Sequence, residues 1–353
     1  TYGGGTSSEW AYSVQQTSDG GYIVAGNGAF LVKTDANGNI IWAKTYKGAV
    51  YEEASSVQQT SDGGYIVAGW TYSFGAGNQD AFLIKTDAYG NVQWAKTYGG
   101  SGYDRAHFLQ FTSDGGYIMV GVTGSFGAGS LDFFLVKTDA NGNLQWARTY
   151  GGTGYEWPNS VRQTSDGGYI VAGYTNSFGA GGDILLFKTD ADGNLQWAKA
   201  YGGTNADSGL AVQRTSDGGY IVVGSTRSFG AGGNDIFLIK TDANLDIGSC
   251  GIVRSVTLTV TTPSVTVTTP SVAVYYSIIP TITYPAIYIN NNPTLAISIP
   301  CPLSDDNELG ISESCKPVSG LITPYKGGIK VSGSGEFEVK VYNVSGVMVK
   351  SVK

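Results

Sequence analysis

Five carboxylates stand at equivalent places along this chain, each a few residues before a copy of one short motif: Glu9, Glu52, Asp104, Glu156 and Asp207. Side chains at the same point of equal structural units predict a ring of oxygen atoms, and calcium is the cation that such oxygen ligands suit. The structural interpretation is that each carboxylate accepts hydrogen bonds from the backbone of a neighbouring loop, as a buried carboxylate requires. The spacing favours this structural interpretation and leaves calcium as the only cofactor to test.

A second oxygen-rich pattern lies in turns of the type Asp-Ala-Asn-Gly-Asn, which look like the first half of a calcium loop. These turns lack the downstream acidic ligand of an EF-hand, and Asp followed by Asn-Gly is itself a favourable hairpin turn. The candidate ligands are Asp35, Asn37, Asn39, Asp139, Asn141, Asn143, Asp190, Asp192 and Asn194. A third set of acids follows glycine-rich SFGAG loops and is predicted to cap them: Asp80, Asp132, Asp183 and Asp235.

Catalytic chemistry finds little support in the residue types. His107 is the single histidine, which argues against a histidine-based triad or a histidine-rich metal site, and it is expected at a surface or between repeats. A glycosidase needs two carboxylates in distinct environments, and the repeated sets single out no such pair. The chain is therefore predicted to be non-enzymatic.

The elements that position these residues are repeats. The sequence TSDGGYIVAG at Thr17–Gly26 recurs at Thr60–Gly69, and close copies begin at Thr112, Thr164 and Thr215. Each unit of roughly 50 residues reads as four short strands joined by Asp/Asn/Gly turns, which is the pattern of a β-propeller blade. Residues 1–250 are thus predicted to form a five-bladed β-propeller. In it Trp42, Trp94, Trp146 and Trp197 fill the space between blades, and the segment beginning at Thr1 completes the last blade.

The repeat units also resemble a broad group of secreted and surface-anchored prokaryotic repeat proteins. The shared pattern is TSDGGYIVAG, then FLIKTD, then GNxxWAKTYGG. The resemblance covers roughly the first 250 residues and implies a propeller and an extracellular or cell-surface location. It implies no particular catalytic activity.

Residues 251–304 form a second region, in which no charged residue occurs from Ser255 to Ser304. One interpretation is a Thr/Pro-rich stalk, and the other is a set of strands that add to a sheet edge in the same chain or in a neighbour. The alternating apolar positions are Val256, Leu258, Val260, Val265, Val267, Val272 and Val274. Cys250 and Cys301 bracket this region and are the preferred disulfide, with Cys301–Cys315 as the alternative.

Residues 305–353 contain the strand-like runs Gly328–Val331, Phe337–Tyr342 and Val347–Val352. They resemble the small Ig-like C-terminal modules of secreted bacterial proteins, including type IX sorting domains. That resemblance implies a small β-module used for sorting, attachment or assembly.

The composition limits the classes of binding partner that are expected. Only 14% of residues are charged and the net charge is −7, which argues against nucleic acid as a partner. No run of 18 apolar residues is present, so no membrane span is predicted.

These features predict an extracellular structural or adhesive protein. Its expected partners are copies of itself, a cell surface or matrix. Its expected assembly is a filament whose subunits are joined by strand donation. The alternative is a lectin-like propeller that binds glycans through exposed aromatic residues such as Trp70 and Tyr174.

Overall fold

The computed structural model describes residues 9–248 and 251–276, and the strands at 295–299, 318–325, 328–332, 339–342 and 348–352. No helix occurs among these residues, and the strands form antiparallel sheets. The predicted all-β fold is confirmed. The chain divides into two compact units, Thr1–Ser228 with Asn234–Pro285, and Phe229–Gly233 with Ala286–Lys353.

The first unit contains one antiparallel sheet for each sequence repeat. Sheet 1 is β1 (Ala11–Gln16), β2 (Tyr22–Gly26), β3 (Phe30–Thr34) and β4 (Ile40–Lys47). Sheet 2 is β5 (Glu52–Gln59), β6 (Tyr65–Thr71), β7 (Asp80–Thr86) and β8 (Val92–Gly99). Sheet 3 is β9 (Asp104–Phe111), β10 (Tyr117–Thr123), β11 (Asp132–Thr138) and β12 (Leu144–Gly151). Sheet 4 is β13 (Glu156–Gln163), β14 (Tyr169–Thr175), β15 (Asp183–Thr189) and β16 (Leu195–Tyr201), and sheet 5 is β17 (Asp207–Arg214), β18 (Tyr220–Thr226) and β19 (Asp235–Thr241).

The turn between the first two strands of each sheet explains why the motif TSDGG is repeated. In sheet 2 the Thr60 hydroxyl donates to Asp62 Oδ1 at 2.5 Å, and the Gly64 N–H donates to the same oxygen at 3.0 Å. Lys85, on the third strand, forms an ion pair with Asp62 Oδ2 at 2.8 Å. The same Lys–Asp pair recurs in all five sheets. Each sheet is thus tied across its turn by a contact between two distant parts of the repeat.

Consecutive sheets pack face to face, and we call the contact between two of them a junction. At junction 1–2 the Trp42 ring lies 5.7 Å from that of Tyr65, and Trp94 and Trp146 make the corresponding contacts at the next two junctions. The Tyr46 hydroxyl donates to the Gly90 carbonyl at 2.8 Å, again across a junction. The prediction that these tryptophans fill the space between repeats is confirmed at the first three junctions.

The segment that follows the repeats returns along them in reverse order. β20 (Val253–Ser255) pairs with β16, β21 (Thr259–Thr261) with β12, β22 (Thr266–Thr268) with β8, and β23 (Ala273–Tyr276) with β4. We call residues 253–276 the strap, because it adds one antiparallel strand to each of sheets 4, 3, 2 and 1. Pro263 and Pro270 lie between these short strands, where no ladder N–H is required.

The period of the strap matches the spacing of the sheets. Val253, Val260, Val267 and Val274 pair with the tyrosine near the end of each fourth strand: Tyr201, Tyr150, Tyr98 and Tyr46. Leu258, Val265 and Val272 pack against the cores of junctions 3–4, 2–3 and 1–2, and Val256 also contacts the core of junction 3–4. Of the two interpretations made from the sequence, strand addition within the same chain is the arrangement that the structure contains.

The second unit contains shorter sheets. β24 (Leu295–Ile299), β25 (Val318–Tyr325) and β26 (Gly328–Ser332) form a three-stranded antiparallel sheet, and β27 (Val339–Tyr342) pairs with β28 (Met348–Val352). The three strand-like runs predicted near the C-terminus correspond to β26, β27 and β28. Cys250, Cys301 and Cys315 lie outside the described residues, and so does the expected disulfide.

Candidate functional site: carboxylate pairs between the sheets

Four of the five repeated carboxylates begin the first strand of their sheet and are buried. Glu52, Asp104, Glu156 and Asp207 are each at most 4% exposed, whereas Glu9 precedes β1 and is exposed. Asp104 Oδ2 accepts hydrogen bonds from the Gly100 N–H at 2.7 Å and the Ser125 hydroxyl at 2.6 Å. Loops from two adjacent sheets therefore satisfy one oxygen of this carboxylate, which agrees with the structural interpretation made from the sequence.

A second buried acid lies beside three of these carboxylates. Asp80, Asp132 and Asp183 are the first residues of β7, β11 and β15, and each is at most 1% exposed. The Gly77 N–H donates to Asp80 Oδ2 at 3.1 Å, and the Gly129 N–H donates to Asp132 Oδ2 at 3.0 Å. The prediction that these aspartates cap the SFGAG loops is confirmed for Asp80 and Asp132.

The two acids of each set approach each other across a glycine, at the end of the fourth strand or directly after it. A Cβ atom placed on Gly99 would collide with Asp80 Oδ1 and lie 2.8 Å from Asp104 Oδ2. The same holds for Gly151, between Asp132 Oδ1 and Glu156 Oε2, and for Gly202, between Asp183 Oδ1 and Asp207 Oδ2. Junctions 2–3, 3–4 and 4–5 thus each contain one carboxylate pair, and the glycine is needed because no side chain fits between the two groups.

The pairs hold oxygens that the protein leaves without a hydrogen-bond donor. Within the described residues, Asp80 Oδ1, Asp104 Oδ1, Asp132 Oδ1, Asp183 Oδ1 and Asp207 Oδ1 are buried and have no hydrogen-bond partner. Burial, together with the nearby charge of Glu156, raises the pKa of Asp132 to about 6. Burial also raises the pKa of Asp183 to about 6, with Arg254 opposing the shift and Asp207 adding to it. Ionised carboxylates in this setting need a positive charge or a donor.

Junction 4–5 supplies that charge from the strap. A terminal nitrogen of Arg254, on β20, lies 3.1 Å from Asp183 Oδ2. In the seven-residue period of the strap, Arg254 takes the place of Thr261 and Thr268. Those two threonines lie opposite Thr149 and Thr97 and share hydrogen bonds of 2.5 and 2.6 Å with them.

The strand opposite Arg254 differs in a matching way, because Ala200 stands where Thr149 and Thr97 stand in the other sheets. In the sequence this difference is visible as AKAY in the fourth repeat, where the preceding repeats have AKTY or ARTY. The repeats alone do not show that Ala200 lies opposite Arg254, because the register of the strap is set by tertiary pairing.

Junction 1–2 lacks the pair altogether. The first repeat has no SFGAG loop and no aspartate at the start of β3, and Lys47 stands where the other repeats have glycine. Glu52 accepts a hydrogen bond from the Thr71 hydroxyl at 3.2 Å. Among the described repeats, glycine at this position therefore accompanies the pair of acids.

The Asp/Asn turns use their own oxygens. Asp35 Oδ1 accepts from the N–H groups of Asn37 and Asn39, at 2.9 and 2.8 Å, and Oδ2 accepts from the Asn39 side chain at 2.8 Å. The turns at Asp139 and Asp190 have the same bonds. These contacts describe the hairpin-turn interpretation, in which the aspartate organises the turn itself.

His107 and the aromatic residues lie between strands rather than on an open surface. The His107 ring is 4.4 Å from that of Trp157 on the next sheet, and burial lowers the pKa of the imidazole to about 4. Trp70 is only 8% exposed, with its ring nitrogen donating to Glu53 Oε1 at 3.1 Å and the Arg105 guanidinium 4.5 Å from its ring centre. The expectation that Trp70 is an exposed platform for a glycan is wrong, because neighbouring side chains already occupy its ring face and its N–H.

In the described part of the chain, no group of three or more His, Cys, Asp or Glu side chains could share a metal ion. No helix that could cross a membrane occurs among the residues described. Comparison with protein-family models and comparison with curated proteins both find no match to this chain.

Proposed function

We propose that this chain is a non-enzymatic structural or adhesive protein of the cell exterior, whose propeller-like repeats assemble with further copies of the same chain. The observation that carries the proposal is that the two ends of the row of sheets expose complementary halves of the junction repeated inside it. Calcium-independent packing of these halves would suffice for assembly.

The outer face of sheet 5 exposes apolar residues. Their counterparts in sheets 1 to 4 pack against the next sheet along the chain. Val223, Ile236 and Leu238 are 40, 74 and 64% exposed. Their counterparts in sheet 2, at the same positions of the repeat, are buried in the core of junction 2–3: Ala68, Ala81 and Leu83. An apolar face of this kind marks an interaction surface.

The outer face of sheet 1 also exposes apolar residues. Their counterparts in the later sheets pack against the sheet before them. Val14 is 67% exposed and Tyr22 is 38% exposed. Their counterparts in sheet 2, Val57 and Tyr65, are buried in the core of junction 1–2. Because the two outer faces are different halves of one interface, a contact between two copies is head-to-tail and produces a filament unless it closes.

Strand addition fits the same assembly. The strap completes sheets 1 to 4 as five-stranded sheets within its own chain, while sheet 5 consists of three strands in the described residues, two fewer than each of the others. A strand donated to sheet 5 by a neighbouring copy would extend the main-chain pairing across the contact. Packing of sheet 1 on sheet 5 within one chain would instead give a closed five-bladed propeller, whose surface role would then depend on other contacts.

The extracellular and adhesive parts of the proposal rest on the sequence, that is, on its low charge, on cysteines placed outside the repeats, and on the resemblance to secreted and surface-anchored repeat proteins. Its partners would be further copies, or a cell surface or matrix.

The test is light scattering and negative-stain electron microscopy of the full chain over a range of concentrations. We expect oligomers or filaments that grow with concentration, and their loss in the double variant Ile236→Glu/Leu238→Glu with unchanged circular dichroism. Tyr89, 74% exposed on a turn away from both faces, provides the matched control Tyr89→Glu, which should assemble like the original chain. A chain that stays monomeric at all concentrations would overturn self-assembly and favour ring closure.

A further inference from the structure

We propose that the carboxylate pairs at junctions 2–3 and 3–4, Asp80 with Asp104 and Asp132 with Glu156, each bind one divalent cation of the calcium class. The inference is independent of self-assembly, because each site lies inside one chain. It also differs from a ring of five carboxylates, since each ion would be held between two neighbouring sheets.

The first argument is that each pair contains buried oxygens without a hydrogen-bond donor. At junction 2–3 these are Asp80 Oδ1 and Asp104 Oδ1, on residues with no exposed surface. At junction 3–4 the free oxygen is Asp132 Oδ1, while Glu156 accepts from the Thr175 hydroxyl at 2.9 Å. A buried carboxylate oxygen without a donor is costly, and a cation removes that cost.

The second argument is that the protein supplies a cation of its own at the third pair. Arg254 lies 3.1 Å from Asp183, at the one junction where the strap has an arginine and the opposite strand has Ala200. At junctions 2–3 and 3–4 the strap has threonine at the corresponding place. The same pair of acids therefore meets a guanidinium in one junction and only neutral groups from the strap in the other two.

The third argument is that calcium suits the ligands that these sites offer, which are carboxylate oxygens from two neighbouring sheets that face each other across a glycine. Calcium accepts carboxylate oxygens along with main-chain carbonyl oxygens and water, and tolerates irregular geometry.

The experiment is calorimetric titration of CaCl₂ into the full chain after removal of metal with a chelator and dialysis, at pH 7.5. We expect two tight sites per chain and a rise in Tm of about 5 °C or more when calcium is present. Asp132→Asn should lower the number of sites to one. Asp139→Asn, in an exposed Asp/Asn turn, is the matched control and should leave two.

Two further variants leave the acids unchanged and instead add or remove an arginine on the strap. Thr149→Ala/Thr261→Arg transplants the arrangement of junction 4–5 into junction 3–4 and should lower the number of sites to one with both acids still present. Arg254→Ala should raise the number to three, because Asp183 and Asp207 then lack their cation. A metal-free chain that binds no calcium tightly, or whose number of sites is the same in all these variants, would overturn the proposal.

Discussion

Junctions 3–4 and 4–5 each contain two buried acids around a glycine at the equivalent position, and they differ in the residue of the strap that faces those acids. At junction 4–5 Arg254 from the strap forms an ion pair with Asp183, and at junction 3–4 Thr261 bonds to Thr149 instead. Junction 1–2 has neither the second acid nor the glycine, and Lys47 stands in the glycine's place. The comparison teaches that the glycine and the second acid are present or absent together, whereas the group that faces the pair changes from one junction to the next.

The largest expected effect comes from filling the space between the acids. Gly151→Ala places a methyl group against Asp132 Oδ1 and 2.7 Å from Glu156 Oε2, so one of the two sheets must shift. We expect a loss of about 3 kcal/mol in the free energy of unfolding. Denaturant unfolding measures it, with Lys47→Ala as the equivalent change at junction 1–2. Equal small losses for both variants would show that the acids do not constrain this position.

Removing the arginine should come next. Arg254→Ala leaves Asp183 and Asp207 buried without a counter-charge. Because the Arg254 side chain is itself 41% exposed, we expect a cost of about 2 kcal/mol, below that of a fully buried pair. Unfolding in the presence of a chelator measures this loss. The double variant Arg254→Ala/Asp183→Asn should recover most of it. No recovery would mean that Arg254 stabilises the fold through its packing alone.

A smaller effect of pH on stability is expected from the buried acid Asp132 at junction 3–4. The pKa of Asp132 is higher in the folded chain than its ordinary value, so the folded state binds more protons between pH 4 and 6. In a metal-free chain this group lowers stability as the pH rises through that range, by on the order of 1–3 kcal/mol. Asp132→Asn should remove that slope relative to the original chain, while His107, whose pKa is lowered, contributes a slope of opposite sign in both. Identical pH profiles for the two chains would contradict the assignment.

The smallest effect is expected at the Lys–Asp pair of the turns. The Asp62 side chain is about half exposed, and the hydrogen bond from Lys85 is the main reason that the pKa of Asp62 falls to about 2. Its contribution is present above pH 4 and is lost as the pH falls toward 2. Asp62→Asn should cost less than about 1 kcal/mol at pH 7, because water screens an exposed partner. A thermal melt at two salt concentrations measures it. A cost as large as that of Arg254→Ala would show that burial of the acid does not separate the two kinds of pair.

Local pattern was enough to predict the strands, the turns and the tryptophan contacts between repeats, because these depend on residues close together in one unit. It also predicted that Asp80 and Asp132 cap their loops. It could not predict that Asp80 and Asp104 face each other, since one begins the third strand of a sheet and the other begins the next sheet. Trp70 was expected to be exposed because a strand pattern does not reveal which face a neighbouring sheet covers.

The strap was the hardest element to predict, because its strands are too short to identify a partner. Its alternation of valine and threonine fits a sheet edge anywhere, and only the seven-residue period, matched to the spacing of the sheets, selects one edge per sheet. Since Leu258, Val265 and Val272 pack against three junctions, we expect deletion of Val256–Val274 to destabilise the repeats.

Repeat proteins whose units touch only their neighbours can lose end units one at a time, because stability is a sum of local terms. The strap changes this behaviour, since one continuous strand segment joins four sheets in reverse order and links Thr97 to Thr268, 171 positions along the chain. Sheets 1 to 4 cannot be completed until the segment after the last repeat has been synthesised. Folding should therefore be slow and end in a single cooperative step, with the first sheet to leave the ribosome being the last one to gain its outer strand.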